Sequence, residues 1–375
     1  MSSRIRSTMP LAMMALMTAH QASAWTVTQL TDNDYEEQEP FVSGSTVVWR
    51  GNPVEAGFGG SEIFFYNGTT TTQLTNNDHD DWGPTACDPY MVWTGYDGHD
   101  NEVFISDGSL TVPFTHNGVY DANPRVSNST LAWTQYDGND YEVIRYDFAT
   151  LTTTQLSNND ELDGNARVSG SSVVWSGFDG NDTEIFLHDG TATTQLTDND
   201  YDDHNPEISG SYVTWQGNLG GNDPEIFLHD GATTTQLTNN SYNDIRPNIS
   251  GSNVVWRGME DGIWEIFFYD GTATTQLTDT DRDDFDPRVS GSKVVWYGWD
   301  EAGDYEIYLY DDVTGTTTQL TDNTYLDSNP SISEGTVVWR GSDGSDYEIF
   351  MAVPEPATLS VLALSGLALL RRRRG

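Results

Sequence analysis

Carboxylates at alternating positions are the residues of this sequence best suited to chemistry. Two loops show the pattern most clearly, and each ends in a fourth acid: Asp198, Asp200, Asp202 and Asp203 in one, and Asp279, Asp281, Asp283 and Asp284 in the other. Alternating oxygen ligands allow a loop to fold around one hard cation, and Ca²⁺ takes six to eight oxygens. These loops are therefore candidate Ca²⁺ sites. The leading interpretation is turn capping, because Asp and Asn in turns accept hydrogen bonds from their own backbone.

One acidic position recurs eight times along the chain. Its members are Glu37, Asp81, Asp121, Asp163, Asp203, Asp244, Asp284 and Asp327. Each stands in a polar loop just before a short apolar segment. If those segments are the innermost strands of a closed ring, the eight acids meet at one mouth of its central channel. We expect an acidic ring there.

The elements that position these acids are repeats of about 40 residues. A tryptophan ends a β-branched run in every repeat: Trp49, Trp93, Trp133, Trp175, Trp215, Trp256, Trp296 and Trp339. About ten residues later comes Glu-Ile-Phe or a close variant, then usually an Asp-Gly turn, then Thr-Gln-Leu-Thr. Asp-Gly favours tight hairpins because both central positions tolerate positive φ. A fixed period of this length with several strands per repeat is typical of propeller blades.

The repeats predict an all-β fold, an eight-bladed β-propeller of four-stranded antiparallel blades over residues 25–352. The first segment, residues 26–31, is a fourth strand with no repeat before it, while the last repeat lacks its own Thr-Gln-Leu-Thr. Pairing residues 26–31 with residues 347–351 supplies the missing strand and removes two open sheet edges. We therefore expect the N-terminal strand to close the ring.

The repeat resembles the WD40-like, or PD40, repeat of TolB-type propellers. The matching residues in one repeat are Leu196-Thr197, Pro206, Ser209 and Glu225-Ile226-Phe227. The a–b turn differs, since Ser-Gly-Ser stands where the family usually has Ser-Pro-Asp-Gly. The resemblance implies the fold rather than an activity, because one fold hosts many functions.

The N-terminus and the composition both point outside the cytoplasm. Arg4 and Arg6 precede an apolar stretch, and Ala22 and Ala24 have the small side chains of a cleavage site. This pattern predicts that residues 1–24 are a secretory signal peptide. The formal net charge of −42 excludes nucleic acid as a partner, because such a surface repels phosphates. Cys87 is the one cysteine of the chain and forms no intrachain disulfide.

The C-terminal residues 353–375 form a separate unit. It consists of a proline-rich break, an uncharged run over 357–370 and an arginine block: Val353, Pro354, Glu355, Pro356, and Arg371, Arg372, Arg373, Arg374. The uncharged run is shorter than the roughly 20 residues of a comfortable membrane span. The unit resembles the PEP-CTERM sorting signal, which implies an exosortase-type membrane protease as a partner and transient anchoring in the inner membrane. An ordinary short membrane anchor is the alternative.

No catalytic residue is predicted, because the sequence has no zincin-type His spacing, no Gly-x-Ser-x-Gly elbow and no phosphate loop. The leading hypothesis is an exported, monomeric, non-enzymatic propeller at the cell surface or in the matrix, which binds exopolysaccharide or another envelope protein. The first alternative is an extracellular carbohydrate-active enzyme, a lyase or glycosidase. The second is a TolB-like periplasmic partner of an envelope complex.

Overall fold

The computed structural model describes residues 25–53, 60–220 and 223–355. The predicted signal peptide, its cleavage site at Ala22 and Ala24, and the tail from Pro356 to Arg374 lie outside these ranges. The described residues form eight antiparallel sheets of four strands each. The predicted eight-bladed β-propeller is thereby confirmed.

Each blade has an inner strand a, then strands b and c, and an outer strand d. The a strands are β2 (Tyr35–Ser43), β6 (Asp81–Cys87), β10 (Asp121–Val126), β14 (Asp163–Ser169), β18 (Asp203–Ser209), β22 (Asp244–Ser250), β26 (Asp284–Ser290) and β30 (Asp327–Ser333). The b strands are β3 (Thr46–Pro53), β7 (Tyr90–Tyr96), β11 (Thr130–Tyr136), β15 (Ser172–Phe178), β19 (Tyr212–Asn218), β23 (Asn253–Glu260), β27 (Lys293–Trp299) and β31 (Thr336–Ser342). We number the blades 1 to 8 in this order.

The outer half of each blade completes the sheet. The c strands are β4 (Glu62–Tyr66), β8 (Asn101–Ser106), β12 (Tyr141–Asp147), β16 (Thr183–His188), β20 (Pro224–His229), β24 (Ile263–Tyr269), β28 (Tyr305–Asp311) and β32 (Tyr347–Pro354). The d strands are β5 (Thr71–Gln73), β9 (Thr111–Pro113), β13 (Thr152–Gln155), β17 (Thr193–Gln195), β21 (Thr234–Gln236), β25 (Thr274–Gln276), β29 (Thr316–Gln319) and, in blade 8, β1 (Trp25–Gln29).

The core lies between neighbouring blades. Consecutive apolar residues on strand b, such as Val294, Val295 and Trp296, are at most 1% exposed, because both faces of the strand are covered. Val294 and Trp296 of blade 7 pack against Ile266 of blade 6, for example. The d strands, in contrast, are mostly exposed threonine and glutamine. Stability therefore comes from blade-to-blade packing.

Every a strand carries a β-bulge near its middle. At the bulge a residue adopts a left-handed backbone, with φ between 44° and 64°: Glu39, Gly83, Asn123, Asn165, Asn205, Arg246, Asp286 and Asn329. A proline follows in all blades except blade 4, which has Ala166. A bulge tolerates proline because the ladder hydrogen bond is already interrupted there. The bulges place eight residues around the channel axis at the same height.

The ring is closed by β1. This strand pairs with β32 from Trp25 opposite Pro354 to Gln29 opposite Phe350, and the Thr31 hydroxyl accepts a hydrogen bond from the Ile349 amide at 2.8 Å. The predicted closure is confirmed, but the partner segment runs three residues past Met351. The extension arises because Thr26 pairs with Val353 and Trp25 with Pro354, beyond the last pair of β31 with β32, Val337 opposite Ala352. Val353 and Pro354 of the predicted sorting signal therefore lie inside the last strand.

Among the residues that the structure describes, no helix has the length and apolar character needed to cross a membrane. The uncharged run over 357–370 lies outside them.

Candidate functional site

All sequence-predicted acids of the repeats lie on one side of the propeller. Because neighbouring strands are antiparallel, the b–c turns and the d–a loops share one face, which we call the loop face. The a–b and c–d turns share the other. Any site built from the repeated acids is therefore on the loop face.

The eight predicted ring acids begin or lie within strand a and are buried, at 0 to 4% exposure. In seven blades the aspartate Oδ1 accepts a hydrogen bond from the indole N–H of the repeat tryptophan twelve residues later, at 2.7 to 3.1 Å. In six blades Oδ2 accepts a hydrogen bond from an Asn side chain four residues earlier, at 2.6 to 2.9 Å. The acids thus fasten strand b and the loop to strand a.

Burial raises the pKa of several of these acids. It raises the pKa of Asp244 and of Asp284 to about 7, and that of Asp163 to about 6, with neighbouring carboxylates adding to the effect. Glu37 replaces Asp in blade 1, and burial raises its pKa to about 8, although a hydrogen bond from the Asn33 side chain at 2.8 Å opposes the shift. The Glu348 carboxylate nearby adds to the increase.

The glutamate of strand c is a second buried acid in every blade, at 0 to 3% exposure. Its Oε1 accepts a hydrogen bond from a backbone N–H in the following d–a loop, at 2.7 to 3.0 Å. Its Oε2 has no hydrogen-bond partner in seven of the eight blades; Glu142, whose Oε2 accepts from Ser157, is the exception. Half of each of the seven carboxylates is therefore left for another ligand.

The structure separates the acids of each predicted Ca²⁺ loop. Asp202 and Asp283 each accept a backbone hydrogen bond, from Thr183 at 3.0 Å and Trp264 at 2.9 Å. Asp203 and Asp284 accept from tryptophan, and Asp200 and Asp281 are exposed. Asp279 is exposed as well, and only Asp198 is gathered into a carboxylate group, with Asp179 and Glu184. The sequence does not predict a role for the b–c turn aspartates, because Asp and Gly between two apolar runs are typical of a hairpin turn with or without an ion.

The central channel is a cavity of about 720 Å³ along the a strands. Three arginines line it, Arg125, Arg167 and Arg288, in a chain with only 16 Lys and Arg in total. Arg167 Nε donates to Glu207 Oε1 at 2.8 Å. Burial, followed by repulsion from Arg167, lowers the pKa of Arg125 to about 10. Three carboxylates, Glu39, Glu207 and Asp286, line it as well, so the channel wall is formally neutral inside an acidic protein.

A second cavity of about 420 Å³ opens on the loop face between blades 3 and 4. It exists because two cross-strand pairs are small there, Ala122 with Thr134 and Gly164 with Ser176. The residues that line it are Tyr120, Asn123, Thr134, Tyr141, Leu162, Asp163, Gly164, Asn165, Ser176 and Thr183. This cavity departs from the repeat and is the candidate binding site.

Blades 6 and 7 fill the same positions with large side chains. The pair equivalent to Gly164 and Ser176 is Ile245 with Arg257 in blade 6 and Phe285 with Tyr297 in blade 7. Arg257 lies over the Trp264 ring, 4.5 Å from its centroid, and Phe285 stacks on Tyr297 at 5.3 Å. The loop face is therefore asymmetric, with a filled side and an open side.

The comparisons with known proteins concern the fold. No family model matches the chain, and no curated protein matches it in sequence. The propeller domain of the Trilobed protease from Pyrococcus furiosus is similar, at a TM-score of 0.52 and 11% identity over 85% of this chain and 93% of that one. Acylaminoacyl peptidase from Pyrococcus horikoshii gives a TM-score of 0.55 and 12% identity over 83% of this chain. This chain spans only 58% of the peptidase.

TolB from Acinetobacter baumannii matches 56% of this chain and 58% of its own, at 15% identity and a TM-score of 0.40, which is too low to argue from. The Trilobed protease domain is described as having an open velcro topology, whereas β1 pairs with β32 here. At such identities the likeness shows a common fold and nothing of activity. The chain is a β-propeller similar in fold to the propeller domains of peptidases.

Proposed function

We propose that this protein is an exported, non-enzymatic binding module of the cell surface or extracellular matrix, and that the cavity between blades 3 and 4 binds a neutral segment of exopolysaccharide. The observation that carries the proposal is the departure of that cavity from the repeat. Its cross-strand pairs are small and it is lined by two half-buried tyrosines and the exposed Leu162, whereas blades 6 and 7 fill the equivalent positions with large side chains. A cavity formed by such a local departure suits one specific ligand.

The chemistry of the lining suits a sugar. Tyr120 and Tyr141 lie edge to face with ring centroids 5.8 Å apart, which offers aromatic surface to the apolar face of a pyranose. Asn123 and Asn165, both held at positive φ on their bulges, provide amide donors and acceptors. Leu162 is 65% exposed and adds an apolar rim. Pockets of this kind combine apolar walls with a few placed polar groups.

The cavity favours binding over hydrolysis or elimination. Glycosidases usually need two carboxylates that flank the bond. Among the described residues that line the cavity, Asp163 is the one carboxylate. Both of its oxygens are already engaged, by Trp175 at 3.1 Å and Asn159 at 2.6 Å. A repeated structural acid whose two oxygens are engaged, with no second acid among the described lining residues, is a poor general acid or base.

Replacement of Gly164 by Phe tests the site directly. A Cβ at Gly164 meets no atom within 4 Å, and its φ is ordinary, so the new ring enters the cavity without strain. Blade 7 already carries Phe285 at the equivalent position. We expect glycan binding, measured on a glycan array and by calorimetry with the best neutral oligosaccharide, to fall at least tenfold at unchanged melting temperature.

Ser328→Phe is the matched control, because it adds the same ring at the same strand position in blade 8, away from the cavity. It should bind glycan as the unaltered protein does. Equal affinity in the Gly164→Phe protein, or a glycan lyase or hydrolase activity that Gly164→Phe removes, would contradict the proposal.

Export is the second part of the proposal, supported by the signal-like N-terminus and the sorting-like tail. An exosortase-type protease is the expected processing partner. Changing Arg371 to Arg374 to Ser removes the cluster that holds the cytoplasmic end of a short span. We expect cell fractionation to show unprocessed chain retained in the inner membrane, with the propeller still folded. Normal release of the variant would mean that the cluster is not recognised.

A further inference from the structure

Five blades gather carboxylates around the strand c glutamate and the b–c turn, and blades 2, 4 and 8 add a residue of the d–a loop. The groups are Asp97, Glu102 and His116 in blade 2; Asp137, Asp140 and Glu142 in blade 3; Asp179, Glu184 and Asp198 in blade 4; Asp300, Asp304 and Glu306 in blade 7; and Asp32, Asp343 and Glu348 in blade 8. In each group, one ligand atom of every residue lies within 4.8 Å of the others. The same geometry therefore recurs at five places in one chain.

A second and independent feature marks these groups as ligand sites. Glu102, Glu184, Glu306 and Glu348 are 0% exposed, and the Oε2 of each is buried without a hydrogen-bond partner. In blade 3 the buried acid without a hydrogen-bond partner is Asp140, which is 6% exposed and has both carboxylate oxygens unpartnered. Buried polar atoms are nearly always hydrogen-bonded. Four strand c glutamates with a free Oε2, and Asp140 two residues before the fifth glutamate, therefore call for a ligand of the same kind.

The protein supplies no cation of its own to most of these groups. Among the ion pairs of the described residues, no Lys or Arg pairs with any of their carboxylates, and only blade 2 has a histidine, His116, 3.1 Å from Asp97. Buried carboxylates at such short range repel one another, and burial without a counter-charge is strongly unfavourable. A divalent cation bound between the carboxylates offsets both their mutual repulsion and the cost of burying them without a counter-charge.

We propose that one Ca²⁺ binds in each of blades 2, 3, 4, 7 and 8. Its ligands come from the b–c turn and the strand c glutamate, and in blades 2, 4 and 8 also from the d–a loop. Carboxylate oxygens are the donors that Ca²⁺ prefers, with backbone carbonyls and water completing its six to eight ligands. Zinc and other transition metals favour nitrogen and sulfur, which four of the five groups lack. The ion fastens the turn to the loop and so stiffens the face that carries the candidate glycan site.

Blade 6 provides an internal comparison. Glu265 is buried with Oε2 unpartnered, and its Oε1 accepts the Thr280 amide at 2.8 Å, as in the other blades. Its b–c turn, however, is Asp261-Gly262 between Glu260 and Ile263, and among the described residues no group of three ligand atoms within 4.8 Å includes Glu265. One buried glutamate outside such a group offers too few ligands. Blade 6 should not bind Ca²⁺.

The test is a count of bound ions on the full chain. Equilibrium dialysis against Ca²⁺ in 0.15 M Na⁺, followed by atomic emission, should give at least five ions per chain, one for each group among the described residues. Millimolar Ca²⁺ should raise the melting temperature well beyond what Na⁺ at matched ionic strength does, because an ion that binds only the native state stabilises it.

Single-blade variants locate the sites. Glu184→Gln keeps the oxygen that accepts the Asn199 amide but removes the charge, and should lower the ion count by one. Glu265→Gln is the matched control in blade 6 and should leave the ion count unchanged. Should Glu184→Gln fail to fold, the exposed pair Asp198→Asn and Asp279→Asn gives the same contrast between blades 4 and 6.

Two results would overturn the proposal. One is a melting temperature that responds equally to Ca²⁺ and Na⁺, with no ions retained on dialysis. The other is a count that falls as much in the blade 6 variants as in the blade 4 variants, which would place the ions elsewhere.

Discussion

Deletion of residues 25–31 is expected to lower the free energy of unfolding by at least about 3 kcal/mol and to convert the monomer into oligomers. The segment contributes its five residue pairs with β32 and, in addition, apolar side chains. Trp25 packs against the core between blades 7 and 8, and Leu30 packs against the core between blades 8 and 1. Burying a large apolar side chain contributes roughly 1.5 kcal/mol or more, and two are lost. The Thr31 hydroxyl that accepts the Ile349 amide is lost as well.

The exposed edge of β32 explains the expected oligomers, because an unpaired strand is a template for another chain. Thermal melting and light scattering measure the two effects. Val27→Ser is the control: Val27 is 43% exposed in the middle of β1, so this variant should melt within a few degrees of the unaltered protein and stay monomeric. A monomeric deletion variant with an unchanged melt would contradict the closure of the ring by β1.

The sequence predicts the fold well because every repeat has the same strand and turn residues at nearly the same spacing. Eight tryptophans at intervals of 40 to 44 residues fix the blade number, and the unmatched Thr-Val-Thr-Gln-Leu-Thr at residues 26–31 predicts the closure. The end of the last strand is less predictable. Pro354 looks like a strand terminator, yet it pairs with Trp25, since the proline lies beyond β31 and needs no further ladder partner there.

The candidate sites are less accessible from the sequence, because they depend on contacts between distant segments. The hydrogen bond from Trp175 to Asp163 spans twelve residues, so an acid that looks free in a polar loop is engaged in the fold. The cation groups combine a turn with a loop, as in Asp179 with Asp198. The cavity between blades 3 and 4 arises from positions with a small side chain or none, notably Gly164. The sequence does not show that such positions lie together in the fold and leave a cavity.

The second large effect is expected from Trp256→Ala. Trp256 is fully buried, stacks on Phe267 with ring centroids 5.9 Å apart, and packs against Ile226 of the preceding blade. Its indole N–H donates to Asp244 Oδ1 at 2.8 Å. Truncating a buried Trp to Ala costs about 3–5 kcal/mol, and leaving the buried Asp244 oxygen without its donor adds about 1–3 kcal/mol. We expect unfolding during expression or a much lower melting temperature.

Trp256→Phe separates packing from the hydrogen bond, because it keeps most of the volume and removes the donor. Urea unfolding should show a loss of about 1–3 kcal/mol for this variant, which is mainly the orphaned Asp244 oxygen. Trp299→Ala is the control for removing a tryptophan as such: Trp299 is 36% exposed and touches Tyr305 at the rim, so its loss should stay below about 1 kcal/mol. If Trp256→Ala unfolded at the same urea concentration as Trp299→Ala, the repeat tryptophan would contribute no more to stability than an exposed one. The Trp–Asp pairs would then not be a source of stability.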